Sequence, residues 1–413
     1  MKDKRVVITG IGVICSNAIG KDEFGRSIFG SISGIKPITL FSTSGYKTKL
    51  AGEVSNFSPQ DILGPKGLRV MDRSTKLVSC AAKLALDDAG LNITEENCTQ
   101  VGVAIGSTLG SVKSMSDFDA DAIRDGVQYV NPALFSNTVI NSPASQVSIR
   151  FNIKGFNTTI STGFTSSLES FAYAYQFLKN NRVNAVLCGA VEELCEQAFL
   201  GFYRTKYLAG IKGQGEEISC PFDKRRNGVI LGEASCVMVL EDLDSALERK
   251  AMILAEVSGI AASFTPFRIN KFESSGSGIK KAMQCAISNA KVPVEKIDCI
   301  LASANSVLDA DKIETVAIKQ VFGNHADTLP VSAVKSMLGE CFSASGSLQA
   351  AAAVAALERQ MIPATINYQE KDPDCRLDYV PNIARKAKLD NILINSFGPS
   401  GSNAAMVLSK FAA

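Results

Sequence analysis

Apolar residues along this chain follow two alternating rhythms. Short runs rich in β-branched and small apolar residues predict strands: "RVVITGIGV" (5–13), "TQVGVAIGS" (99–107), "NAVLCGAVEE" (184–193), "ASCVMVLED" (234–242), "MILAEVSGIAAS" (252–263), "CILASANS" (299–306), "LPVSAV" (329–334) and "NILINSF" (391–397). Between them, apolar positions recur at the spacing of one helix face: "STKLVSCAAKLALDDAG" (74–90), "SSLESFAYAYQFLKNN" (166–181), "GSGIKKAMQCAISNA" (276–290), "DKIETVAIKQVFG" (311–323) and "SGSLQAAAAVAALERQ" (345–360). This alternation predicts an α/β protein whose sheets are covered by helices.

The pattern also echoes itself. "TTISTGFTSSLESFAYAYQFL" (158–178) leads through "NAVLCGA" to "GEASCVMVLED", and "LPVSAVKSMLGECFSASGSLQAAAAVAAL" (329–357) leads through "NILINSFG" to "GSNAAMVLSK". Both read strand, small-residue turn, Ala- or Ser-rich helix, strand, Gly-rich hairpin, strand. The echo predicts two related halves, 1–250 and 251–413, packed back to back as one compact unit.

Composition narrows the class. The chain is 46% hydrophobic and 20% charged, as in ordinary globular proteins, and its net charge of +2 argues against a nucleic-acid binder. The one dense basic cluster, "DKRRN" (223–227), is too short to change that. Eleven cysteines occur without a C-x-x-C pair and with a single histidine, His325. That combination fits buried free thiols in a reducing cytosol and leaves no metal site. The longest helical apolar run, "SLQAAAAVAAL", is too short for a membrane span, and "MKDKRVVITGIGVICS" reads as a first strand and not a signal peptide. A cytoplasmic protein is expected, so the tripeptides at Asn92, Asn97 and Asn157 carry no glycan. The G-x-G in "TGIGVICS" lacks the third glycine of a dinucleotide fingerprint, with Cys15 in its place, and no cofactor is expected.

One joint is chemically odd. Where the β-branched run at 158–160 meets the helix pattern, small residues crowd around a single aromatic, Phe164. Strand-to-helix turns of this kind usually present a reactive side chain. Here the chain resembles a β-ketoacyl-[acyl carrier protein] synthase of the thiolase-like superfamily, close to the synthase II type. The resemblance spans nearly the whole length and rests on "RVVITGIGV", "GSTLGS", "NTVINSPASQV", "FNIKGFNTTISTGFTSS", "CPFDKRRNGVILGEASCVMVLEDLDSALERKA", "ADKIETVAIKQVFG", "VSAVKSMLGE", "IPATINYQ", "LDYVPN" and "NSFGPSGSNAAMVL". It implies a five-layered αβαβα sandwich, normally a two-fold dimer, with a nucleophilic cysteine at the turn and two histidines that bind the thioester carbonyl.

None of those three side chains is present. The family pattern T-A-C-[TS]-[SG] falls on Thr162, Gly163, Phe164, Thr165 and Ser166, so the nucleophile position holds Phe164. The first histidine falls near Asn305, in a loop about two residues shorter by this match, and the second on Glu340, while Lys335 and Glu314 of the same motifs are retained. Phenylalanine has no lone pair to accept an acyl group, and an ionised Glu340 would repel a malonyl carboxylate and cannot donate to an oxyanion. Substitute nucleophiles are Cys341, Ser161 and Ser166; a carboxylate beside Cys341 opposes its ionisation. The gate segment is altered too, reading "SFGPSGSN" with Phe397, Pro399 and Ser400, and a proline there stiffens the loop. The substrate-ordering run is represented only by "FTPFRINKF" (264–272).

The resemblance therefore implies a chain-length-factor type subunit. Such subunits lack the catalytic cysteine, pair with an active ketosynthase as a heterodimer, and close the acyl tunnel at the shared interface. Matching tunnel and interface residues are Leu109, Val112, Met115, Phe118, Leu134 and Phe135; the helical spacing of 112, 115 and 118 equally suits plain core packing. The glutamine of better-known chain-length factors is not found at position 164, which argues against the aromatic-polyketide branch and leaves room for polyene, alkylresorcinol or other fatty-acid-like pathways. Lys66, Arg69, Arg73, Lys76, Arg204 and Lys206 are candidates for docking an acidic acyl carrier protein. An enzyme with repurposed acyl-thioester chemistry and a homodimeric acyl-binding protein remain the alternatives.

Overall fold

Ten strands carry the molecule in a computed structural model that describes residues 4–211, 215–268 and 271–412. The first half contributes β1 (Val6–Cys15), β2 (Val101–Gly106), β3 (Asn157–Ile160), β4 (Ala185–Glu192) and β5 (Ala234–Asp242), in the order β3-β2-β4-β5-β1. The second contributes β6 (Ala255–Phe264), β7 (Cys299–Leu301), β8 (Val331–Ser332), β9 (Asn391–Phe397) and β10 (Ser402–Ser409), in the order β8-β7-β9-β10-β6. Counted within each half the order is the same, and so are the directions. The first three strands pair in parallel and the last three antiparallel. The two sheets join where β1 meets β6, with Val7 opposite Glu256 and Ile8 opposite Ala255.

The helices that position the site and build the layers are α1 (Arg73–Ala89), α2 (Val112–Asp125), α3 (Ser166–Lys179), α4 (Glu196–Arg204), α5 (Ser277–Ala290), α6 (Leu308–Phe322) and α7 (Ser345–Arg359). Five others lie around them among the described residues, Lys21–Phe29 and Ser142–Phe151 included. Five layers result. α1 covers the first sheet, α3 and α7 lie between the sheets, and α5 and α6 cover the second. The middle layer holds a core drawn from both halves, with Leu168 and Phe171 of α3 beside Ala350, Ala352 and Leu357 of α7. Alanine on α7 lets a helix be buried on every side at close approach.

The repeat extends to detail. The β1–β5 register shifts between Ile8 and Gly10, and the β6–β10 register between Val257 and Gly259. A Cβ on Gly10 would lie 2.3 Å from the Ala85 carbonyl, and one on Gly259 2.2 Å from the Ala286 carbonyl. In both halves a glycine lets the covering helix rest on strand backbone.

Three expectations change. The predicted strands at 299–306 and 329–334 stop at Leu301 and Ser332, because residues 302–306 leave the sheet and Ser306 turns back at a φ of +74°. The strand predicted from 252 begins at Ala255. α2 buries none of its residues, so core packing does not account for Val112, Met115 and Phe118.

Candidate functional site

The repeat brings two helix N-termini together in the middle layer. A 3₁₀ turn at Gly163–Thr165 opens α3, and another at Phe342–Ala344 opens α7. Each is pinned in the same way: Thr162 N–H donates to Ser166 Oγ (3.0 Å), and Cys341 N–H to Ser345 Oγ (3.1 Å). This register sets Phe342 opposite Gly163. Both hold positive φ, +77° for Gly163 and +46° for Phe342, a conformation that strains a phenylalanine.

Phe164 is 5% exposed, with its ring edge-on to Phe342 at 5.3 Å; Phe342 in turn stacks on Phe202 at 4.8 Å. Leu194 and Leu208 complete the same apolar cluster. The seat at the start of α3 is therefore filled with hydrocarbon and offers no lone pair. Its flanking hydroxyl is engaged as well, since Ser166 Oγ donates to the Gly163 carbonyl at 2.6 Å.

Asn305, Lys335 and Glu340 converge on one buried network. Glu340 Oε2 accepts from Lys335 Nζ (2.9 Å) and Asn305 Nδ2 (2.7 Å), while Oε1 accepts from Ser345 Oγ (2.7 Å) and the Phe342 N–H (2.9 Å). Lys335 also donates to the Ser303 carbonyl at 2.9 Å. Four donors fill the carboxylate, which leaves no oxygen of it free for a ligand. Glu314 sits behind, accepting from Ser303 N–H (2.8 Å) and Asn395 Nδ2 (2.7 Å), and its other oxygen has no partner. Burial pushes Glu314 up to about 7 and Asp311 up to about 6. Cys341 is buried; burial first, and then the Glu340 charge, raise its thiol well above the usual range, which opposes a thiolate.

Outside the aromatic wall opens a cleft of about 500 Å³, bounded by Leu109, Val112, Phe202, Tyr207, Val307 and Pro399. Leu109 is held by Glu192, a buried carboxylate that accepts from the Leu109 N–H (3.0 Å), the Thr108 N–H (2.9 Å) and Ser343 Oγ (2.9 Å). The Tyr207 hydroxyl is buried near Asn305 without a hydrogen bond of ordinary geometry; burial and the Glu340 charge raise it well above the tyrosine range. Phe397 is buried against Phe272, and Pro399 borders the cleft. Of the run 264–272, residues 269 and 270 lie outside the described residues.

The six tunnel and interface candidates divide. Leu109 and Val112 line the cleft, whereas Met115, Leu134 and Phe135 are exposed and Phe118 packs on Phe135 at 6.0 Å. The docking candidates divide too. Lys66, Arg69, Arg204 and Lys206 are exposed and Lys76 is half-buried. Arg73 departs from that expectation: its guanidinium binds Glu233 at 2.5 Å and the Val54 carbonyl at 2.9 Å, so its charge is neutralised inside the fold. Phe342, Phe202, Tyr207 and Glu192 were not anticipated from sequence. Aligning "TGFTSS" (162–167) with "CFSASG" (341–346) across the repeat sets Phe342 on Gly163 and would have singled it out.

The sequence and the fold are shared with known proteins. A profile of the beta-ketoacyl synthase N-terminal domain matches residues 3–246, and one of the C-terminal domain matches 254–369. The chain is 34% identical to 3-oxoacyl-[acyl-carrier-protein] synthase 2 of Coxiella burnetii, covering 99% of both chains. It is 33% identical to the tetracenomycin polyketide synthase ketoacyl synthase alpha subunit of Streptomyces glaucescens, covering 99% of this chain and 97% of that one. Among solved structures, the ishigamide ketosynthase/chain length factor superposes with a TM-score of 0.91 at 32% identity, covering 99% of this chain and 100% of the other. A type II polyketide synthase acyl-carrier protein in complex with its ketosynthase, bound to the hexaketide, gives a TM-score of 0.91 at 26% identity with the same coverage.

Proposed function

Because the chain belongs to the beta-ketoacyl synthase family, we propose that it is a non-catalytic, chain-length-factor type member that pairs with an active ketosynthase and shapes the acyl tunnel. The observation that carries this reading is Phe164, a buried benzyl group in the seat from which family members attack the thioester. The filled Glu340 carboxylate supports it, because both its oxygens are taken up inside the fold and no N–H donor stands at the position of the second histidine. The exposed apolar side chains of Met115, Leu134 and Phe135 support a protein partner on that face. Leu109 and Val112, at the cleft, are the residues expected to limit chain length. Exposed Lys66, Arg69, Arg204 and Lys206 suit an acidic carrier protein. Type II polyketide, polyene or fatty-acid-like synthesis in the cytoplasm is the setting this role requires.

Co-expression with an intact type II ketosynthase, taken from beside this gene where one is encoded there, tests the reading. A 1:1 complex is expected, with Val112→Ala lengthening the product made by that complex. A stable lone homodimer, or an unchanged product distribution for Leu109→Ala and Val112→Ala, contradicts it.

A further inference from the structure

Away from the Met115 and Phe118 side of α2, a second pocket of about 430 Å³ lies between α2, the start of α1 and the start of α4. Its wall carries four carboxylates, Asp72, Asp117, Glu193 and Glu196, against two cations, Arg73 and Lys113. Both cations are engaged, Arg73 with Glu233 (2.5 Å) and Lys113 with Asp117 (2.6 Å). Asp72 caps α1 through the Thr75 N–H (2.8 Å) and, like Glu193 and Glu196, makes no close ion pair among the described residues, although Arg73 and Lys113 act on Glu193 at longer range. Glu193 is only 4% exposed; its Oε2 accepts from the Ser74 N–H at 3.2 Å, and its Oε1 accepts from nothing. A buried carboxylate oxygen without a donor is costly and marks a place where a donor is missing. No three acidic, thiol or imidazole groups among the described residues come close enough to share a metal ion. The carboxylates are thus spread for something larger than an ion, and Phe41 and Leu194 add apolar wall beside them.

We propose that this pocket binds an aliphatic cation, a primary ammonium or guanidinium group on a hydrocarbon stem, with its head toward Glu193 and its stem against Phe41 and Leu194. The head can come from a free amine or from a lysine or arginine side chain of another protein. Glu193 faces Asp72 and Arg73 of α1, Lys113 and Asp117 of α2, Cys195 and Glu196 at the start of α4, and Glu233 ahead of β5. Burial, followed by Asp72 and Glu233, pushes Glu193 up to about 8. The empty pocket therefore holds a proton at pH 7, and an arriving cation displaces it to solvent.

Isothermal titration of n-butylammonium into the full chain tests this, with butan-1-ol as the uncharged analogue and a blocked lysine peptide as the protein-like probe. Saturable binding is expected at pH 8.5, weaker by about tenfold at pH 7, with close to one proton released per cation at the lower pH. Glu193→Gln should weaken binding at least tenfold and abolish the proton release. Glu196→Gln, on the exposed rim, should weaken it severalfold, and carries the test if the Glu193 variant does not fold. Tighter binding of the peptide than of n-butylammonium assigns the head to a protein side chain; the reverse assigns it to a free amine. Equal binding of butan-1-ol, binding unchanged in both variants, or no saturation by about 10 mM of either cation overturns the proposal. The outcome leaves the pairing and tunnel role untouched, since none of those residues is altered.

Discussion

Glu340→Ala should be among the most damaging single changes in this protein, through the lysine it strands. Lys335 is held at 2.9 Å from Glu340 with side-chain exposures of 3% and 0%. Removing one partner of a buried ion pair costs about 3–5 kcal/mol, because the other charge stays buried without compensation. Asn305 Nδ2, Ser345 Oγ and the Phe342 N–H lose their acceptor at the same time, which places the cost at the upper end. An unfolding entropy of about 2.1 cal/mol/K per residue gives roughly 0.9 kcal/mol/K for a chain of 413 residues. The expected fall in Tm is then about 3–6 °C, readable by scanning calorimetry at fixed protein concentration. The double variant Lys335→Met/Glu340→Leu removes both charges and should recover at least half of the loss. A fall of less than 1 °C for Glu340→Ala, or a double variant no better than the single, would refute the idea that a charge pair organises the vacated site.

Two further outcomes follow from neighbouring groups. Phe164→Ala should cost about 3–5 kcal/mol, the usual range for a buried phenylalanine, and benzene should restore part of the lost Tm by filling the cavity; a neutral substitution would show that the ring packs loosely. Glu314, raised from its ordinary value to about 7, favours the protonated native state. Its contribution is fully present below pH ~4.5 and is lost as pH rises through about 7, a change of about 3 kcal/mol. Urea midpoints should therefore show wild type losing stability relative to Glu314→Gln between those pH values, and a flat difference would contradict the shift.

Much of the fold was legible because its constraints are local and repeated. The period-two and helical patterns marked the long strands and five helices, and the echo between 158–178 and 329–357 matches the shared strand order of the two sheets. Strand ends were less legible, since the small residues 302–306 run on from the apolar "CIL" without a turn signal yet are drawn out of the strand, with the Asn305 N–H held by Asp311 (3.0 Å). Phe164, Asn305, Lys335 and Glu340 could be placed from motifs, because each stands at a fixed offset within an ordered match. Phe202 and Tyr207 could not. They reach the site from α4 and the segment after it, and only tertiary packing shows that their rings close the cleft. Arg73 shows the converse failure: a basic residue at a helix start reads as surface, while a buried Glu233 just ahead of β5 neutralises it.

Intact-protein mass spectrometry after incubation with acyl-loaded carrier protein puts the central claim to its most direct test. Run on this chain alone and on its complex with an active ketosynthase, it should find the acyl mass only on the partner, with this chain unmodified throughout. An acyl adduct on this chain, lost when Cys341 or a serine beside Phe164 is replaced, would contradict the account.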